Sequence, residues 1–136
     1  MNYEDIEIAK KARLNAYTPY SKFKVGCALR TKSGKIYTGC NVDNHGIQSI
    51  CAERVAFTKA ISEGEREFES IFVIGADENC DITNGEAETL HETLPCGYCR
   101  QFMSEFVDSK FKVYTLEKST IKEYSISDLL PFSFKL

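Results

Sequence analysis

No stretch of the 136 residues approaches the ~20 consecutive apolar side chains of a membrane-spanning helix, so no membrane partner is expected. A basic excess is also missing. Lys and Arg number 17 against 20 Asp and Glu, a formal net charge of −3 at pH 7. Chains that live on phosphate backbones usually carry the opposite balance, which argues against a nucleic-acid polymer as partner. Met1-Asn2-Tyr3-Glu4-Asp5 has neither the basic nor the apolar region of a signal peptide, so the expected compartment is cytoplasmic. Internal repeats and low-complexity segments are absent. What is present is ordinary for a soluble globular protein: 43% hydrophobic and 27% charged residues. The Ile, Phe and Val content excludes disorder. The length fits one domain over 1–136, large enough to bury a core without disulfides.

Six cysteines stand out: Cys27, Cys40, Cys51, Cys80, Cys96 and Cys99. In a reducing compartment they are buried small residues, metal ligands or catalytic thiols rather than disulfide partners. Their positions separate these readings. Apolar residues at three- and four-residue steps predict a helix over 4–17, its stripe including Ile6, Ala9, Ala12, Arg13 and Ala16, ended by Thr18-Pro19. Phe23 to Arg30 alternates and predicts a strand, with Val25, Cys27 and Leu29 on one face. Gly26 and Ala28 lie on the other face, where something can pack close. A turn at 32–35 leads to a second strand over 36–42, giving a hairpin. Cys27 and Cys40 fall in these strands as small apolar filler.

A second helix is expected over about 50–63, with Ala52, Val55, Ala56 and Ala60 inward and Gly64 as its C-terminal cap. Ile71-Phe72-Val73-Ile74 reads as a strand covered on both faces. Asp77 to Glu92 is an acidic stretch without Lys or Arg, a solvated loop or a gate over a site; it contains Cys80 and His91. Pro95 opens a third helix running to about Val107. Strands over 111–116 and 121–126 are joined by four residues, too few for a parallel crossover, so this pair is antiparallel. A short helical turn follows over 127–130. The fold class is therefore α/β, an α/β/α sandwich around a mixed five-stranded sheet.

Chemistry concentrates in two clusters, Cys51-Ala52-Glu53-Arg54 and Pro95-Cys96-Gly97-Tyr98-Cys99-Arg100-Gln101, each at a helix start. Cys96 and Cys99 can face one point, and a helix N-terminus favours thiolate over thiol. If the two helix starts meet, three thiolates converge. Three protein ligands suit catalytic zinc, which keeps its fourth position for water. The competing reading of Cys96-x-x-Cys99 alone is a redox dithiol. Glu53 can lean over the open position as general acid and base; without the cysteines it would be an exposed helix glutamate. Arg54 can donate hydrogen bonds to the thiolates and draw charge from them, or form a surface ion pair.

These clusters, with Pro19-Tyr20-Ser21-Lys22-Phe23-Lys24-Val25-Gly26, Gly39-Cys40-Asn41-Val42-Asp43-Asn44, Leu129-Leu130-Pro131 and Phe134, resemble the small homotetrameric zinc-dependent cytidine deaminases over nearly the whole chain. The resemblance implies that Cys51, Cys96 and Cys99 hold Zn2+ and that Glu53 moves protons while a zinc-activated water attacks C4 of cytosine. The products would be uridine or deoxyuridine and ammonia, a step of pyrimidine salvage. It further implies Phe23 beside the base, Asn41 and Asp43 on the ribose hydroxyl, and the Ala52 N–H and Leu94 carbonyl on the pyrimidine. Phe134 would reach a neighbouring subunit's site in a homotetramer.

Departures from the family pattern lie in two places: the acidic stretch before Pro95, which is longer than the family's, and the segment over 41–51. Asp43 stands where Glu is usual, and 41–51 is one residue short, with His45-Gly46-Ile47-Gln48 replacing a stretch that normally holds an aromatic. His45 is a substrate contact or an exposed loop residue. Three rival readings follow: a deaminase of a related cytosine nucleoside such as blasticidin S, a nucleotide or polynucleotide deaminase, and a non-catalytic zinc module. The second is disfavoured by the short turn between the last two strands, because those relatives make that pair parallel. Glu53 disfavours the third, since a structural site needs no acid beside an open position.

Overall fold

The computed structural model describes residues 1–45, 48–82 and 92–136. Among the described residues, nine elements follow one another: α1 (Glu4–Arg13), β1 (Phe23–Thr31), β2 (Ile36–Cys40), α2 (Ala52–Ser62), β3 (Phe68–Asp77), α3 (Gly97–Ser104), β4 (Lys112–Glu117), β5 (Thr120–Ser125) and α4 (Ile126–Leu129). The five strands form one sheet in the order β2-β1-β3-β4-β5. β1 pairs antiparallel with β2 and with β3, β3 pairs parallel with β4, and β4 pairs antiparallel with β5. The expected hairpin, mixed sheet and antiparallel final pair are all present.

Alternation along the strands sorts the core into two layers. Val25, Cys27, Leu29, Ile71, Val73 and Val113 face α2 and α3, with Ala56, Phe57, Ala60 and Met103 packed on them. Ala28, Phe72, Ile74, Tyr114 and Leu116 face the other way, where Ala9 of α1 packs. β3 is thus covered on both faces, as its apolar run requires. The small residues of β1 and β2 set how closely the helices sit. A Cβ on Gly26 would lie 2.2 Å from the Ala9 carbonyl oxygen, and one on Gly39 would lie 2.1 Å from that of Ala52. α1 and α2 therefore rest on opposite faces of one hairpin, backbone against backbone.

α1 stops at Arg13, four residues before the expected end at Tyr17. The reason is tertiary. Arg13 is buried, and its guanidinium donates to the carbonyls of Lys24 (3.0 Å), Ala76 (3.0 Å) and Cys80 (3.2 Å), and to that of Asp77. Tyr17 bridges to Val42 instead of continuing the helix. At the other end of α1, Arg30 of β1 holds Asp5 through both carboxylate oxygens, at 2.7 and 3.2 Å. β2 ends at Cys40 rather than Val42, which forms isolated bridges to Tyr17 and Ile50. α2 closes as expected at Gly64, whose N–H bonds to the Ile61 carbonyl while that of Glu65 reaches back to Ala60, both at 3.0 Å. α3 begins at Gly97 after Cys96, so Pro95 precedes the helix instead of opening it.

Candidate active site

α2 and α3 begin at the same end of the sheet, and each begins with a cysteine. Cys51 is the N-cap of α2 and Cys96 the N-cap of α3, both with extended backbone and neither making a side-chain capping hydrogen bond. Cys99 follows one turn into α3 and is fully buried. The Cys51 and Cys96 sulfurs are 3.6 Å apart, and all three sulfurs lie within 4.8 Å of one another. Thiolates held at ~2.3 Å by one tetrahedral ion stand about 3.8 Å apart, so the set fits zinc. Both helix N-termini direct their N–H groups and dipoles toward this point, which favours the deprotonated ligands. The Cys51 thiol is held down to about 5, chiefly by a hydrogen bond from Cys99 and secondarily by Arg54. Cys99, the donor in that bond and buried as well, is pushed far up.

Arg54 extends from the first turn of α2 back over the cluster. Its Nη2 donates to the Cys51 sulfur at 3.7 Å and to the Ser49 carbonyl at 3.1 Å. The guanidinium carbon sits 4.2 Å from the centre of the Tyr98 ring, a cation–π stack that fixes its plane. A guanidinium donating to the Cys51 sulfur is placed to draw charge from that ligand. Glu53 is buried, with only 4% of its surface exposed. Burial pushes its carboxyl up to about 7, offset in part by its own backbone N–H and reinforced by the negative Cys51. A carboxyl poised there can take and return protons near neutral pH.

The remaining predicted residues spread along the adjoining edge. Phe23 opens β1, and its ring edge shares the space above Gly75 with the Thr93 hydroxyl. Asn41 clips the start of β1: its Oδ1 accepts from the Val25 N–H and its Nδ2 donates to the Phe23 carbonyl, both at 2.8 Å. Each end of the amide keeps one further bonding site. Asp43 is buried and fastened to the turn before β1. Its Oδ2 accepts from the N–H groups of Tyr20 (3.0 Å) and Ser21 (2.8 Å), and its Oδ1 from the Ser21 hydroxyl (3.1 Å). These donors, the Ser21 amide first, hold its carboxyl below the ordinary range. His45 faces the same turn, with Nδ1 3.0 Å from the Tyr20 hydroxyl oxygen. Ala52 is fully buried, and its carbonyl accepts the Cys27 thiol at 3.3 Å, so Cys27 does more than fill space.

Leu94 lies on the extended segment leading to Cys96 and is partly exposed. Phe134 stands apart from the cysteines. Its carbonyl accepts from Gln101 at 3.1 Å, while its ring, 67% exposed, lines a recess with Ser104 and Glu105. His91 and most of the acidic stretch fall outside the described residues. Three anchoring residues escaped the sequence reading. Arg13 ties α1 to the exit of β3, and its only signal was a charged residue in an apolar stripe. Arg100 donates to the carbonyls of Pro95 (2.7 Å) and Leu129 (2.8 Å), locking the entry of α3 against α4. Glu92 binds side chains of β4 and β5.

Comparison with known proteins agrees with this geometry. Residues 3–115 match the model of the cytidine and deoxycytidylate deaminase zinc-binding region. The cytidine deaminase of Sporosarcina psychrophila is 43% identical over 128 residues, covering 93% of this chain and 85% of that protein. The crystal structure of cytidine deaminase from Burkholderia pseudomallei aligns with a TM-score of 0.82 at 38% identity, over 98% of this chain and 100% of that one. A blasticidin-S deaminase of Bacillus cereus is 25% identical over 137 residues, 98% of this chain and 94% of that protein. With three sulfurs converging on one point, a buried glutamate beside them and the family pattern running through most of its length, the chain belongs to the zinc-binding cytidine and deoxycytidylate deaminase family.

Proposed function

We propose that this single domain catalyses the hydrolytic deamination of cytidine or deoxycytidine, releasing uridine or deoxyuridine and ammonia. The observation that carries this reading is the buried Glu53 next to a three-cysteine set at two helix N-termini. Cys51, Cys96 and Cys99 are the residues to hold zinc, which when bound supplies the Lewis acidity that makes a water nucleophilic near pH 7. Glu53 takes one proton of the attacking water as its oxygen bonds to C4 and delivers it to N3 of the pyrimidine; it then moves the proton of the new C4 hydroxyl to the amine, so that the C4–N bond breaks to leave the C4 carbonyl and ammonia. Arg54 steadies the ligand set by donating to Cys51.

On the substrate side, the Ala52 N–H and the Leu94 carbonyl read the base, and Phe23 packs beside it. The free bonding sites of Asn41 and the remaining acceptor site on the Asp43 Oδ1 face the sugar hydroxyl. The exposed Phe134 supports a homotetramer whose active sites are completed across subunits, with salvage in the cytoplasm as its setting. The antiparallel β4 and β5 argue against a polynucleotide substrate.

One observation favours a second reading. Asp43 already binds three donors of the Tyr20–Ser21 turn, which leaves little of it for ribose and favours a cytosine nucleoside with an altered sugar, such as blasticidin S. Ammonia release from a panel of cytidine, deoxycytidine, dCMP, cytosine and blasticidin S tests both readings. The first expects the two natural nucleosides to lead. Turnover of none of them by zinc-loaded protein would refute deamination.

A further inference from the structure

The segment that enters α3 crosses the end of the sheet on two anchors. The Glu92 carboxylate accepts the Tyr124 hydroxyl of β5, the Thr115 hydroxyl of β4 at 3.4 Å, and the Lys122 ammonium of β5 at 3.4 Å. Thr115 is fully buried in the middle of its strand, so the bond fixes Glu92 to the rigid sheet and not to a mobile rim. Thr93 then lies over Gly75 of β3. Three residues after Glu92, the Pro95 carbonyl is held by Arg100. Leu94 therefore sits between two fixed points, one supplied by the β4–β5 pair and one by α3 itself.

We infer that Glu92 is a positioning residue for catalysis, setting the Leu94 carbonyl, and that β5 belongs to the substrate-binding apparatus through it. The inference rests on the reading in which the Leu94 carbonyl receives the pyrimidine. Three donors converge on one carboxylate, and they come from the two strands farthest from the hairpin. Tyr124 and Lys122 hold that carboxylate ionised, below its ordinary range, so all three bonds are charge-assisted at neutral pH. A segment released at Glu92 would still be tethered at Pro95, so the cysteines stay in place while the carbonyl loses its aim.

The test compares zinc-loaded, full-length wild type with Glu92→Ala, Glu92→Gln and Tyr124→Phe. Loss of charged hydrogen bonds at one anchor should raise KM for cytidine about tenfold in Glu92→Ala, with one zinc per chain retained and kcat falling less. Glu92→Gln keeps an acceptor for Tyr124 and Thr115 and should restore KM most of the way. Amide exchange of the peptide spanning 92–96 should quicken about tenfold in Glu92→Ala, with α1 unchanged. Should Glu92→Ala fold poorly, Tyr124→Phe removes a single oxygen and is expected to show the same changes in smaller measure. A wild-type KM together with unaltered exchange at 92–96 overturns the inference, even where the melting temperature drops. If wild type itself releases no ammonia from cytidine, the deaminase reading fails, and the exchange arm still judges the anchor.

Discussion

Replacing Gly39 by alanine should damage catalysis more than any other single added methyl group on the hairpin. The new Cβ would begin 2.1 Å from the Ala52 carbonyl oxygen and 2.9 Å from the Ala56 nitrogen. Restoring an ordinary contact of 3.4 Å requires the first turn of α2 to retreat by about 1.3 Å. That turn carries Cys51 on one side of Ala52 and Glu53 on the other. A displacement of about 1 Å at reacting groups can lower the rate on the order of 100-fold. Overpacking of this kind costs about 1–3 kcal/mol, which for a chain of this length lowers Tm by roughly 4–10 °C. Gly26→Ala is the matched control. Its Cβ would lie 2.2 Å from the Ala9 carbonyl oxygen and 2.5 Å from the Arg13 nitrogen, on the opposite face of the sheet. The backbone strain is similar, yet α1 supplies no cysteine and no catalytic carboxyl. Calorimetry and steady-state ammonia release on both variants check the argument. Equal activity losses at equal Tm, or a Gly39→Ala enzyme with unchanged kcat/KM, would refute it.

Glu53→Gln should fold, keep about one zinc per chain by elemental analysis, and lose about 10²–10⁴-fold in kcat, the usual effect of removing a general acid/base. Cys96→Ala should lose the metal and with it much of the melting temperature, because metal binding is coupled to folding; a triple Cys51/Cys96/Cys99 variant that retains full zinc would sink the ligand assignment. Asp43 supplies a pH signature. Its folded carboxyl lies below the ordinary 3.8, so its stabilisation is complete above that value and is lost as pH falls through the folded one. The Tm gap between wild type and Asp43→Asn should therefore be widest near neutral pH and close in strong acid. A gap constant across that range would mean the Tyr20–Ser21 amides do not depend on the Asp43 charge.

Local chemistry made the elements legible in the sequence, and long-range partners did not. The alternation of Val25, Cys27 and Leu29, the two-sided run Ile71 to Ile74 and the four-residue turn before β5 each report their own surroundings, and the structure follows them. The three site cysteines were readable for the same reason, since Cys51 and Cys96 each open a helix and the spacing of Cys96 and Cys99 is a helical turn. Arg13 marks the limit. On spacing it extends a helix toward Tyr17, but the carbonyls that take up its guanidinium belong to residues 24, 76, 77 and 80. Glu92 escaped in the same way, and so did the anchoring of Asp43, which the sequence singled out only for the sugar. A carboxylate in a loop announces charge, while its donors at Tyr20 and Ser21, or Thr115, Lys122 and Tyr124, lie 22 to 32 residues away.

Helices ordinarily open on Ser, Thr, Asp or Asn, whose oxygen closes the first free amides. α2 and α3 open on Cys51 and Cys96, which close none of them. The two positions that would normally secure a helix start have been given over to sulfur, so the ends of these helices are left for the ion to lock. Chelation should accordingly open the chain first at residues 49–54 and 94–99, and limited proteolysis after metal stripping should cut there before it cuts the α1 face.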